Sequence, residues 1–418
     1  MIDHLKFVKI YQKFDSKKLN NIPEVISQEF SRIQLDQKIK PGMKIAITAG
    51  SRGIDNIQTI LKAIIEEVKK RKAFPFIVTA MGSHGGATAE GQKKVLADYG
   101  ISEKTMGVPI KATMDTVQLD QLANGLPIYF DKIAYSADGI IVVNRIKVHT
   151  AFKAEIESGL HKILSVGLGN HQGAKLVHFL GVKGIRDYVV KFAKVILKKA
   201  PILAGFAILE NAYDETYKIV GAKTEEFYLV EKELLRECKQ ILPKLPVRNI
   251  DFLIIQEMGK NISGTGMDTN VIGGIKDFKE GEYEPPQIKK ILVLDLTPET
   301  QGNALGIGLA HMISRRLYEK IDFNSTYTNT ITATFLDRAR IPMVFDTDKQ
   351  AIDVGLKTIW NLPGVKPRII VIKNTLKLDE MYISEPIWEE IKNKNNITSS
   401  GNWEEINFDK SGNFLTRI

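Results

Sequence analysis

The apolar positions of this chain fall into short runs separated by polar, glycine-bearing stretches, and their lengths predict strands alternating with helices. KIAITA, FPFIVTA and DGIIVV are near-continuous apolar runs of the length of a buried parallel strand. Between the first two, IQTILKAIIEEVKKRK spaces its apolar residues three and four apart and ends in basic residues, as an amphipathic helix does. Residues 5–12 read as a first strand and 21–34 as a helix with Pro23 in its first turn. SRGIDN and MGSHGGATAEGQ are the polar loops that link strand to helix, and the repeated strand, loop and helix is the signature of a parallel sheet with helical cover. Further on, 108–137 reads as short strands and turns with a helical KIAYSA, 181–198 as a helix, AGFAILENAY and YKIVGAK as strands, and 224–240 as a helix.

Two prolines in LPKLPVRN mark a linker, after which a second α/β pattern starts. DFLIIQEMG predicts a strand and KNISGTGMDTNVIGG a long loop; ILVLDLTPETQGNALGIG reads as strand, loop and helix. IPMVF, a helix near 349–361 and a final strand in PRIIVIKNTL complete it, leaving a tail of short helix and polar turn. The predicted organisation is two α/β domains with largely parallel sheets, 1–245 and 246–375, and a tail, 376–418, packing back on the first domain. The active site is expected in the interdomain cleft, with closure over it when substrate binds.

Composition narrows the partners. The net charge of +9 comes from 58 basic and 49 acidic residues spread along the chain, without the interleaved aromatics of a single-strand nucleic-acid site, so an anionic small ligand fits better than nucleic acid. The lone Cys238 excludes a disulfide framework and a cysteine metal cluster. No signal-peptide pattern and no apolar run long enough to span a bilayer stands out, so a cytoplasmic protein is expected. Oligomeric state is left open.

Chemistry concentrates between Asn144 and His178, where His149, His161, His171 and His178, four of the seven histidines, follow the DGIIVV strand. Their spacing is not H-E-x-x-H, and the glycine loops match neither a dinucleotide fingerprint nor a Walker motif. Such loops supply backbone N–H groups for a phosphate or carboxylate, with Arg52 and His84 as the side chains beside them. A single imidazole holding a metal whose other donors come from a cofactor is compatible with this set, and so is a histidine acting as general base. His161 reads as structural, His171 as an alternative ligand; His4, His311 and Cys238 receive no role.

The set SRGIDN, MGSHGG, KVHTAFKAE, SGLHKILSVGLG and His178 resembles the nickel-dependent lactate racemase family, whose cofactor is a nickel-pincer nucleotide derived from a pyridinium mononucleotide. The resemblance implies that Lys162 is the lysine covalently attached to the cofactor and that His178, sixteen residues on, is the metal ligand. It implies cofactor contacts at Gly85 and Gly86, alternating bases at His84 and His149, and Arg52 holding the substrate carboxylate. Lys260 is the carry-over for a catalytic lysine of the second domain. The implied function is a racemase or epimerase acting at C2 of a 2-hydroxy acid by reversible hydride transfer, loaded by cofactor-synthesis enzymes. Departures surround the presumed substrate: Ala49 stands where the family has an acid, leaving that job to Asp55, and AFKAEIESG replaces a more apolar run. Lys153, Glu155 and Glu157 in that run point to a larger polar hydroxy acid than lactate. Two other readings stay open: a cofactor-dependent hydroxy-acid oxidoreductase or lyase, and a non-catalytic nucleotide or carboxylate binding protein.

Overall fold

The computed structural model describes residues 5–279, 283–416 and 418, so His4 lies outside the described residues. The chain divides into two compact units, one of Asp15–Leu242, the other joining the residues through Phe14 to Pro243–Ile418. The first strand, β1 (Lys6–Gln12), therefore belongs with the C-terminal part of the chain, and not with the N-terminal domain expected from its position.

The Asp15–Leu242 unit is built on β2 (Lys44–Ala49), β3 (Phe74–Thr79), β4 (Ile110–Lys111), a separate ribbon of β5 (Thr116–Gln121) and β6 (Pro127–Asp131), then β7 (Gly139–Arg145), β8 (Ile202–Glu210) and β9 (Thr216–Lys223). Its main sheet runs β4-β3-β2-β7-β8-β9, parallel except for the final β8–β9 pair. The three apolar runs read from the sequence are the central strands. Each is apolar on both faces because helices cover both, and Ile45, Ile47, Ile77, Ile141 and Val143 are all buried. The helix Ile57–Lys70 turns Ile60, Leu61, Ile64, Ile65 and Val68 into that core and ends in Lys69 and Lys70 as predicted. Pro23 lies in the first turn of the helix Ile22–Arg32, which Asn21 caps by accepting from the Glu24 N–H.

In the other unit β10 (Asn249–Ile255), β11 (Gln287–Val293), β12 (Met312–Ser314), β13 (Met343–Phe345), β14 (Ile369–Ile372), β15 (Glu380–Ser384) and β16 (Ile397–Glu405) join β1 in one sheet, ordered β13-β12-β11-β10-β14-β15-β1-β16. Its first five strands are parallel; β15, β1 and β16 add antiparallel pairs. The segment expected to be a polar tail thus carries two strands of this sheet. The alternation of β1 (Phe7, Val8 and Ile10 buried) is satisfied by partners more than 370 residues away, such as Phe7 opposite Ser384. The helix expected after LTPETQ is replaced by two single turns, Pro298–Thr300 and Ile307–Leu309. Among the described residues no helix is long and apolar enough to cross a membrane.

Candidate functional site

In the Asp15–Leu242 unit the sheet order changes direction between β2 and β7. The chain leaves β2 for β3 on one side and β7 for β8 on the other. At such a switch point the loops beyond the strand ends diverge and leave a crevice. Backbone pairing of β2 with β7 covers Ile45–Ile47, after which the Thr48 hydroxyl takes over, accepting from the Val143 N–H at 2.8 Å. The loop after β2 carries Arg52, the loop after β3 carries His84 and the segment after β7 carries His149, so three predicted residues rise from one edge of the sheet.

The lysine segment lies over this gap. Asn144, near the end of β7, donates from Nδ2 to the Gly159 carbonyl at 2.8 Å and so fixes the start of the turn Leu160–Lys162. A side-chain carbon on Gly50 would meet Ile163 Cδ1 at 3.5 Å, which places this turn directly against the end of β2. Ile163–Gly167 is a stretch of π-helix, a form concentrated at functional sites, and leads into the helix Asn170–Phe179 that carries His178. The glycine loop docks on it: the Gly82 N–H donates to the Gly167 carbonyl at 3.0 Å, and a carbon on Gly167 would sit 2.7 Å from the Ala80 carbonyl oxygen. Gly85 and Gly86 both have φ near +65°, and Gly85 passes so close to Gly91 and Gln92 that any side chain would collide at 2.5 Å. Gly86 faces open space. Gly85 is thus required by packing whatever else it contacts.

Arg52, Lys162 and His178 form a row in which each feels the next. Burial, and then the Arg52 charge, lowers Lys162 from the ordinary lysine value to about 8. Burial, and then the Lys162 charge, lowers His178, which favours a neutral imidazole. Arg52 reaches solvent at its surface but is ringed by protein, and desolvation lowers its guanidinium, with the neighbouring Arg145 adding to the effect. It stays a cation at neutral pH. Among the described residues neither the Arg52 guanidinium nor the Lys162 amine has a hydrogen-bond or ion-pair partner, and His178 Nδ1 is buried and unpartnered. Buried donors and acceptors are normally satisfied, so the His178 nitrogen is the exception that calls for a partner, while the exposed Arg52 and the half-buried Lys162 stand beside it within reach of solvent.

Other expected residues are committed elsewhere. The Asp55 carboxylate accepts from the Thr216 N–H at 2.7 Å, and the Asp55 N–H donates to Glu210, which also pairs with Arg145. Asp55 braces its loop against the β8–β9 end and does not replace the acid missing at Ala49. Glu157 is fully buried, held by Lys153 at 3.3 Å and Lys239 at 2.7 Å, and accepts from the His149 N–H at 2.7 Å. Glu155 pairs with Lys232 and accepts from the Tyr228 hydroxyl. The charges expected to read a larger substrate therefore hold the His149 loop in shape. His161 is buried and bonds Glu231 through Nδ1 at 2.8 Å, while the same carboxylate oxygen accepts the His161 N–H at 3.0 Å. That confirms a structural place for His161. His171 is exposed. His311 accepts the Ile291 N–H at Nδ1, and Cys238 is buried with its thiol pushed up to about 11 by burial, which leaves it unreactive. Lys260 belongs to the other unit, where its Nζ donates to the Gly264 carbonyl at 2.6 Å.

Glu231 escaped the sequence reading, as did the burial of Glu157. Glu157 gives no local sign of burial, but Glu231 does: it falls on the apolar stripe of its helix with Phe227, Leu234, Leu235 and Cys238. A carboxylate on such a face marks a buried partner.

Among the described residues no group of three or more His, Cys, Asp or Glu side chains is placed to hold a metal ion.

Residues 6–183 match the family model of the lactate racemase N-terminal domain. Among solved structures the chain is similar to the lactate racemase apoprotein from Thermoanaerobacterium thermosaccharolyticum, at TM-score 0.56 and 15% identity over 88% of this chain and 98% of that one. A crystal structure of a Thermotoga maritima protein aligns at TM-score 0.45 and 14% identity, over 66% of this chain and 72% of that one. A search of curated proteins gives no match. The domain match covers less than half of the chain, and the structural likeness is one of α/β fold.

Proposed function

We propose that the chain is a 2-hydroxy acid racemase or epimerase carrying a nickel-pincer nucleotide on Lys162, with His178 as the protein's metal ligand. The observation that supports this reading most is the unpartnered row of Arg52, Lys162 and His178 at the sheet's switch point. Each member fits its part. An amine near 8 is about one-tenth neutral at pH 7, roughly 300 times the neutral fraction of an ordinary lysine, and the neutral form is the one that attacks an acyl carbon. A neutral imidazole with a buried free nitrogen is a metal donor without a second protein ligand to complete a cluster. When bound, the cofactor supplies a reversible hydride acceptor for C2 of the substrate.

The protein's own part is to bind and to move protons. Arg52 holds the substrate carboxylate through a planar pair of N–H donors; with Ala49 in place of an acid, nothing competes for it from the end of β2. His84 and His149 exchange the hydroxyl proton, and Gly85 lets the His84 loop lie close to its helix. Lys153 and Glu157 are engaged with each other inside the fold and are not offered to a substrate side chain, while Glu155 pairs with Lys232 at the surface.

The test is intact-protein mass spectrometry and metal analysis after co-expression with cofactor-synthesis enzymes, followed by chiral chromatography of hydroxy acids incubated with the loaded protein. An adduct at Lys162, bound nickel and loss of optical purity without change of composition are expected. No adduct and no nickel would sink the proposal, and a changed product composition would replace racemisation by net redox or elimination chemistry.

A further inference from the structure

We propose that Glu231 is a positioning residue of the site: it holds the turn that presents Lys162, acting through His161. This rests on the reading above of Lys162 as the lysine that carries the cofactor.

The turn has no cap of its own. Leu160–Lys162 opens on Gly159, which brings no side chain to accept the first free N–H groups. Glu231 accepts in its place, from a helix 70 residues further along the chain. Its Oε2 takes the His161 N–H at 3.0 Å and meets His161 Nδ1 at 2.8 Å, so one oxygen holds both the backbone and the ring of the residue before Lys162. Asn144 grips the other side of the same stretch through the Gly159 carbonyl. Glycine is required where the two clamps meet: a side-chain carbon on Gly159 would lie 2.5 Å from Glu231 Oε1 and 2.4 Å from Ile146 Cδ1.

Water does not compete for these bonds. Glu231 and His161 are both buried, where a hydrogen bond to a carboxylate is strong. Yet a carboxylate is a poor choice for stability alone, because Oε1 is buried without a partner. The same helix, Phe227–Ile241, also grips the preceding segment, where Lys239 pairs with Glu157 at 2.7 Å and the Tyr228 hydroxyl donates to Glu155 at 2.5 Å. Those bonds shape the His149 loop, whereas Glu231 reaches the neighbour of Lys162 itself. On the far side of Lys162, Ile163 packs against the end of β2. A lysine fixed by both neighbours keeps its amine at the switch point, and any group joined to that amine is held there with it.

Two substitutions separate reach from charge. Glu231→Gln keeps an oxygen at the same reach and removes the charge; Glu231→Asp keeps the charge and withdraws it by one carbon. The first measurement is amide hydrogen exchange by NMR on the apoprotein. The His161 amide should be as protected in Glu231→Gln as in the parent, and should exchange at least about tenfold faster in Glu231→Asp, with the amides of β7 and β8 unchanged. Parent-like protection in Glu231→Asp, or equal loss in both variants, overturns the proposal. The second measurement follows co-expression with cofactor-synthesis enzymes. The fraction of chains with the mass adduct on Lys162 should be near that of the parent in Glu231→Gln and at least about tenfold lower in Glu231→Asp, and kcat per bound nickel should fall in Glu231→Asp while KM stays within about threefold. Normalising to bound nickel removes any contribution from unfolded chains. Adduct and kcat equal to the parent in Glu231→Asp overturn the positioning role even where exchange is faster. A parent that takes up no cofactor, with the expected exchange pattern, counts against the functional reading and leaves the clamp on the Lys162 turn in place.

Discussion

Replacing Lys162 by methionine should make the apoprotein more stable at neutral pH, because a buried ammonium without a counter-charge opposes folding. The amine falls from 10.5 to about 8, a change worth roughly 3 kcal/mol at about 1.4 kcal/mol per pKa unit. Solvent reaching part of the side chain trims this to about 2 kcal/mol. Methionine keeps the apolar stem and its packing, so the charge is the main thing removed. Below pH 8 folded and unfolded chains both carry the proton, and the full penalty acts. Between pH 8 and 10.5 the unfolded chain keeps a proton that the folded chain has released, so the penalty fades as pH rises and vanishes above 10.5. Thermal melts of parent and variant, without cofactor, should therefore differ by about 4–8 °C at pH 7 and converge toward pH 10.5. A variant no more stable than the parent at pH 7, or one whose advantage is the same at both pH values, would refute the view that Lys162 is a destabilised cation. The case for a neutral nucleophile would go with it.

Four further outcomes are expected. Arg52→Gln should raise KM for the hydroxy acid by about 100-fold or more while the Lys162 adduct still forms in mass spectra, since only the carboxylate contact is lost. His178→Ala should retain the adduct on Lys162 but lose nickel by elemental analysis. Glu157→Gln leaves Lys153 buried without its counter-charge and should cost about 3 kcal/mol in urea unfolding at pH 7. Gly85→Ala forces a side chain into Gly91 and Gln92, and should lower the melting temperature and change the His84 ring signals in NMR spectra.

The strands β2, β3, β7 and β10 were legible because fully buried parallel strands are written as continuous apolar runs, and the helix between β2 and β3 because its apolar stripe repeats at helical spacing. Those strands place Arg52, His84 and His149 on one edge, so part of the candidate site was readable from order alone. The place of β1 was not: alternation shows a half-buried strand but says nothing of partners near residues 380–405. The π-helical turn after Lys162 was hidden for a different reason. It packs against the separate loop that carries Gly82, through Val166 and Gly167, and no local propensity marks it. The same holds for the charges at 153–157. In the sequence they look like solvated residues able to meet a substrate, and only the burial of Lys153 and Glu157, with Glu157 against Lys239 and the His149 backbone, reveals their task.

The placing of β1 also has a kinetic meaning. Its neighbours β15 and β16 leave the ribosome hundreds of residues later, so Phe7, Val8 and Ile10 must wait, unpaired, until residues 380–405 have been made. The Asp15–Leu242 unit contains all the strands of its own sheet and can close as soon as it emerges. The sheet that includes β1 cannot. During that interval the protein carries an open apolar strand edge, the kind of surface that aggregation exploits and chaperones cover. Truncation after β14 would make the interval permanent.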